Sequence, residues 1–273
     1  MHQENYMKTY PRVLTIAGSD SGGGAGIQAD IKAISATGSY ASSAVTAITV
    51  QNTVGVIDVF PIPPDIVAAQ IDAVLSDIGA DAVKIGMLHS SDVIVAISSV
   101  LSEYNIRNIV LDPVMVSTSG HRLIEESAVE TLKEVLIPMA TVITPNIPEA
   151  EILSGVSVSG RGDLPEMARR LSLDGRLSVL MKAGHLANGS MTDYFYNAVE
   201  NHIIELDSER IETRNTHGTG CTLSSALASY LAQGLSLDDS VRAAKTYISG
   251  AVRSGKDYAV GNGHGPVNHF WKV

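Results

Sequence analysis

Short apolar runs alternate with segments of helical period along most of the chain, and this alternation restricts the fold more than any other feature. The runs lie at residues 12–17, 44–50, 82–85, 108–111, 140–144 and 178–182. Helical spacing is found at about 27–37, 65–76, 92–104, 127–136, 148–154 and 164–173. Strands alternating with helices predict a mainly parallel sheet with helices on both faces. The runs are mainly apolar and do not alternate strictly with polar residues, as strands covered on both faces should be. Residues 192–196 and 202–206 read as a hairpin-type insertion, and 221–233 and 237–253 as two closing helices. With 45% hydrophobic residues and no linker, repeat or low-complexity segment, residues 1–273 are expected to form one domain, with 1–10 as an N-terminal extension.

Two glycine-rich turns each run directly into a helix. The first, Gly18-Ser-Asp-Ser-Gly-Gly-Gly-Ala-Gly26, has more glycine than a turn needs, which lets backbone approach a ligand closely. The second, Asn215-Thr216-His217-Gly218-Thr219-Gly220-Cys221, opens a helix carrying Leu223, Leu227, Tyr230 and Leu231 on one face. Unpaired N–H groups and the positive dipole end at such a start make an anion site. The chain's one cysteine, Cys221, sits there, and the same dipole is expected to lower its pKa. The plainer alternative is a glycine-tolerant loop with Cys221 as a small buried hydrophobe.

Ligands of open α/β sheets bind beyond the carboxyl ends of the strands. Asp20, Gln51, Asp112, Asn146 with Glu149, and Lys182 all stand at such ends. Each has a bland reading: Asp112 ends a strand before a proline, Glu149 favours a helix's first turn, Lys182 is a surface charge. Their shared placement makes them a candidate site.

A net charge of −10 without a basic run argues against nucleic acid. One cysteine excludes an internal disulfide and a cysteine-cluster metal site. Neither a signal peptide nor a membrane span is expected, so the expected location is cytoplasmic. The Gly-x-x-x-x-Gly-Lys-Ser/Thr, Gly-x-Gly-x-x-Gly and Gly-x-Ser-x-Gly motifs are missing. His89, His121 and His202 are expected to be structural or exposed. Asn188-Gly-Ser190 reads as a turn, and Asp163 with Glu166 as a capping box opening the helix at 164.

Seven segments together carry a family resemblance: Gly18 to Asp30, Val45-Thr-Ala-Ile-Thr-Val-Gln-Asn52, Lys84-Ile-Gly-Met-Leu88, Leu111-Asp-Pro-Val-Met115, Thr144-Pro-Asn-Ile-Pro-Glu149, Lys182-Ala-Gly-His185 and Thr216 to Cys221. In this order they resemble the hydroxymethylpyrimidine/phosphomethylpyrimidine kinases of thiamine biosynthesis, in the ribokinase-like superfamily. The likeness runs from about Val13 into the tail at Gly263–His269. It implies a three-layer α/β/α sandwich and a usually dimeric enzyme that uses ATP and Mg²⁺ on a small pyrimidine and then on its monophosphate. It also implies residue roles. Gln51 would hydrogen-bond the pyrimidine in a pocket with Gly18, Asp20, Met87 and Val114. Asp112, Asn146, Lys182, Thr216 and Gly218 would hold ATP, with Asp112 and Glu149 at the magnesium. Gly218, Thr219, Gly220 and Cys221 would form the anion hole, catalytic together with Lys182. Much of the superfamily has an aspartate as base where Cys221 stands, and a cysteine can take that part only as thiolate. Ala183 replaces a usual glycine, and Val50 a residue often smaller, which would tighten the pocket edge. Three rivals are a pyridoxal kinase, a non-catalytic pyrimidine-binding regulator, and a cysteine hydrolase pairing Cys221 with His217.

Overall fold

The protein is described from a computed structural model, for residues 8–116, 123–184 and 191–272. The strands are β1 (Arg12–Asp20), β2 (Tyr40–Gln51), β3 (Val56–Pro61), β4 (Ala82–Ile85), β5 (Ile109–Leu111), β6 (Val142–Ile143), β7 (Ser178–Met181), β8 (Met191–Asn197) and β9 (His202–Ser208). The helices are α1 (Gly26–Ala36), α2 (Pro64–Asp77), α3 (Ser91–Glu103), α4 (Glu126–Thr131), α5 (Ile147–Ser154), α6 (Leu164–Arg170), α7 (Thr219–Ala232) and α8 (Leu237–Gly255). All nine strands join one sheet in the order β3-β2-β1-β4-β5-β6-β7-β8-β9. The six from β2 to β7 in that order are parallel, while β3 pairs antiparallel with β2, and β8 and β9 close the other side as an antiparallel pair.

The period-two rule of a strand explains why the central runs are apolar. Val13, Ala82, Val110, Val142 and Leu180 face one core with α1, α7 and α8. Their neighbours Leu14, Val83, Ile109, Ile143 and Val179 face the other, with α2 to α6. Each strand therefore feeds both layers of an α/β/α sandwich, and the parallel carboxyl ends all open on one edge.

Three expectations need correction. Strand β3 was not expected; Asp58 and Pro61 disguise it, and a proline is tolerated there because the strand lies at the sheet edge. The helix expected over 127–136 is α-helical only to Thr131, then widens into a π-turn at Leu132–Leu136 and tightens into a 3₁₀ turn at Ile137–Met139 that carries Pro138. Asp163 does not cap α6. Its carboxylate instead accepts from the N–H groups of Ser159 and Gly160, closing the preceding turn. His121, His185 and the 188–190 turn lie outside the described residues.

Candidate active site

The polar residues from the strand ends meet along one cavity of about 690 Å³. Its wall includes Gly18, Asp20, Gln51, Met87, Asp112, Val114, Asn146, Glu149, Lys182, Thr216, Gly218, Thr219, Gly220 and Cys221. The two glycine-rich turns touch each other at its centre. Gly218 has φ +78°, and a side chain there would overlap the carbonyl of Gly24, so only glycine fits. At Gly26, φ +55°, an added side chain would likewise overlap the carbonyl of Gly18.

A buried charged cluster occupies one side. Lys182 Nζ lies 2.8 Å from Asp112 Oδ1 and 3.8 Å from Glu149 Oε2. Thr144 donates to Asp112 at 3.0 Å. Asn146 and Glu149 form a reciprocal capping box on α5: the Asn146 side chain accepts from the Glu149 N–H at 2.9 Å, and the Glu149 carboxylate from the Asn146 N–H at 2.8 Å. The Asn-x-x-Glu motif thus holds the Glu149 carboxylate rigidly beside Lys182. Burial pushes Glu149 up to about 7, with the charge of Asp112 adding to the rise and Lys182 opposing it. Burial also opposes ionisation of Asp112, yet Lys182 and Lys84 hold it below the ordinary carboxylate range. Lys182 is raised, because Asp112 and Glu149 outweigh the cost of its burial. Two carboxylates facing one ammonium, one of them short of compensating charge, form an all-oxygen donor set suited to a hard dication such as Mg²⁺. A methyl group on Gly220 would lie 3.3 Å from Lys182 Nζ, so this cluster packs directly against the start of α7.

The other side is neutral. Met87 and Val114 pack with Ala47 and Leu123 as an apolar wall. The Gln51 amide lies 3.3 Å from Thr49 Oγ1 and 3.2 Å from His217 Nε2. His217 Nε2 also lies 2.8 Å from Asp20 Oδ2, and Thr49 Oγ1 donates to Ser19 O at 2.7 Å. A carboxylate only accepts, so the Nε2 proton points at Asp20, and the Gln51 carbonyl suits the histidine side while its NH₂ suits the threonine oxygen.

Asp20 lines the cavity, and its carboxylate also organises the glycine-rich loop. Its Oδ1 accepts from the N–H of Gly22 at 2.8 Å, and its Oδ2 from the N–H groups of Gly24 at 3.0 Å and Ala25 at 2.8 Å and from His217 at 2.8 Å. Burial alone would raise Asp20, but His217 and the loop amides hold it below its usual range. His217 Nε2 is thereby committed to Asp20 and Gln51, which takes that nitrogen from the base role the cysteine-hydrolase reading needs. Val50 is half exposed on the far side of β2 and does not tighten the pocket. Ala183 is buried with its N–H donating to Asp193 at 2.8 Å, and needs no glycine. His89 and His202 are partly exposed, each beside a carboxylate.

Cys221 also departs from expectation. The thiol is half-buried, and burial, with Asp30 and Asp112 adding to it, pushes it up to about 11 despite Lys84 and the N–H of Gly26. The helix start alone does not lower it. Three charged residues of the wall had no role in the sequence reading, Lys84 and the pair Asp193–Lys245, whose charged atoms lie 2.6 Å apart, and His217 had one only in the hydrolase reading. Lys84 sits inside an apolar run, where charge gives no positional signal, and Asp193 and Lys245 are brought together only by the packing of α8 against β8.

The phosphomethylpyrimidine kinase family model matches residues 20–268. The chain is 51% identical over 268 residues to a thiamine biosynthesis bifunctional protein of Geobacter sulfurreducens, covering 97% of this chain and 54% of that one, so it spans about half of that relative's length. It is 48% identical to a hydroxymethylpyrimidine/phosphomethylpyrimidine kinase of Rhizobium meliloti, covering 95% of this chain and 98% of that one. The structure of an ADP complex of Bacillus subtilis pyridoxal kinase superposes with a TM-score of 0.87 at 36% identity, covering 96% of this chain and 98% of that one. The α/β/α sandwich is thus the ribokinase-like fold, and the chain belongs to the phosphomethylpyrimidine kinase family.

Proposed function

We propose that this chain transfers the γ-phosphoryl group of ATP to 4-amino-5-hydroxymethyl-2-methylpyrimidine, and then to the resulting monophosphate, for thiamine diphosphate synthesis. The observation that carries the reading is the continuity of the cavity, from an apolar wall with one oriented amide to a buried ammonium and a free helix start. Gln51 takes the aminopyrimidine, since an amide can both donate and accept, and Met87, Val114 and Gly18 flank the ring. Lys182 and the first-turn amides of α7 take the charge of the transferred phosphoryl. Asn146, Thr216 and Gly218 line the path of the triphosphate. Asp112 and Glu149 hold Mg²⁺, which when bound neutralises the phosphates. The acceptor oxygen bonds to the γ-phosphorus, the bond to the β–γ bridging oxygen breaks, and ADP leaves with that electron pair. In the first reaction the alcohol's proton passes to Cys221 Sγ.

A homodimer is part of this proposal. Ile48, Val50 and Phe60 project from the outer face of β2 and β3 with 49%, 50% and 65% exposure, while Thr49 and Gln51 on the inner face line the site. Such an apolar patch on a sheet edge suits a second copy. A cytoplasmic setting fits the single free thiol, and among the described residues no helix is long and apolar enough to cross a membrane.

ADP release measured with the pyrimidine alcohol, its monophosphate and pyridoxal tests the reading. Turnover of both pyrimidines above pyridoxal is expected. Faster turnover of pyridoxal would favour the activity of the Bacillus subtilis relative, and no ADP with any alcohol would favour a silent binding protein.

A further inference from the structure

Lys84 and Asp30 form an ion pair that the mechanism above does not use. Lys84 Nζ lies 2.9 Å and 2.8 Å from the two oxygens of Asp30, and both side chains are fully buried. Asp30 also accepts from Thr15 at 2.7 Å and from Ser225 at 2.7 Å. One carboxylate thus joins α1, α7, β1 and β4. The strand rule sets this up: Thr15 and Lys84 are register partners on β1 and β4, and both face α1 and α7 because Leu14, Ile16, Val83 and Ile85 face away.

The pair lies one helical turn below the acceptor site. Asp30 is four residues after Gly26 on α1, and Ser225 four residues after Cys221 on α7, so each shares a helix face with the residue at the start. At the starts themselves, the N–H of Gly26 favours ionisation of the Cys221 thiol. Lys84 and Cys221 line the same cavity. Room is kept for the ammonium, because a Cβ on Gly86 would lie 2.8 Å from Lys84 Nζ. Apolar residues of the same volume could serve the fold as well or better, so the core does not require the pair.

We propose that Lys84 is a positioning residue for the acceptor-side base, a fixed positive charge that favours the Cys221 thiolate, with Asp30 pinning it between the two helix starts. The proposal rests on the reading of Cys221 as that base. The charged groups around the thiol come from four elements. Lys84 on β4 favours its ionisation, Asp30 on α1 and Asp112 beyond β5 oppose it, and Lys182 beyond β7 is itself raised by it. Lys84 is thus a cation that favours the thiolate against burial and the two carboxylates.

The chain's single cysteine makes the test direct, since alkylation by iodoacetamide across pH reports Cys221 alone. The first variant is Lys84→Met. The double variant Lys84→Met/Asp30→Asn leaves no unpaired buried charge and is used if the single variant does not fold. In either, alkylation at fixed pH should fall about tenfold, a shift of about one pH unit in the thiol. The first phosphorylation should fall in parallel while the second is largely kept. An unshifted thiol in a folded variant, or equal losses in both reactions, overturns the proposal and leaves the pair as a structural tie. A shifted thiol with an intact first reaction upholds Lys84 as the counter-ion and removes Cys221 as the base.

Discussion

The two glycine-rich turns look alike in sequence and end in opposite states. In the turn of residues 18–26 the N–H groups of Gly22, Gly24 and Ala25 all point at the Asp20 carboxylate, so the protein fills its own anion site. In the turn of residues 216–221 Gly220 packs against Lys182 Nζ and Asp112 Oδ2, but among the described residues no carboxylate accepts from the turn's N–H groups. A glycine-rich turn before a helix therefore marks an anion site without saying whose anion fills it. Here an internal anion closes the first turn, and the second is the one that the proposed function gives to phosphate.

The largest effect that would break this contrast is expected at Cys221. An alcohol acceptor must lose a proton, which a base accelerates roughly 10²–10⁴-fold. A phosphate monoester has its second pKa at about 6 and arrives already ionised. Cys221→Ala keeps the amides and removes only the thiol, so the first phosphorylation should fall by that factor and the second modestly. With the thiol at about 11, its ionised fraction grows tenfold per pH unit below that value, and the native first reaction should accelerate with pH far into the alkaline range. Equal losses in both reactions, with no pH signature, would make Cys221 a pocket wall.

Lys182→Ala should lower both phosphorylations by about 10²–10³-fold, as loss of one preorganised charge-stabilising donor does. Glu149→Gln should lower both less and raise the Mg²⁺ needed. If added Mg²⁺ recovers nothing and its affinity is unchanged, Glu149 does not hold the metal. Gln51→Leu sharpens the other half of the comparison. A ring nitrogen or amine left unpaired in a dry pocket costs about 1–3 kcal/mol. Pyrimidine affinity measured by calorimetry should drop accordingly while ATP affinity holds, and equal losses for both ligands would assign Gln51 to the fold.

What the sequence revealed and what it concealed follow the same physics. The central strands were legible because both faces are covered, which leaves apolar runs at Val13–Ala17 and Val83–Ile85. Strand β3 was not, because an edge strand tolerates Asp58 and Pro61. The helix start at Cys221 was legible from glycine and helical spacing, but the direction of its thiol shift was not. That direction depends on burial and on Asp30 and Asp112, which arrive from distant elements. Lys84 was hidden for the same reason: its partner Asp30 is 54 residues away.

The smallest effect concerns the filled turn itself. Asp20→Asn removes the charge that satisfies three amides and His217, and should destabilise the protein by about 1–3 kcal/mol at neutral pH, as an under-satisfied buried polar group does. The sign of its pH dependence is set by the depressed pKa of Asp20. A carboxylate held lower in the folded than in the unfolded chain contributes its stability above the unfolded pKa, about 3.9, and loses it as pH falls through the folded value. Melting temperatures of the native protein and Asp20→Asn should therefore differ most at neutral pH and converge below pH 4. Parallel curves down to the lowest pH would mean that the Asp20 charge does not hold the first turn closed, and the contrast between the two turns would then have to come from the backbone alone.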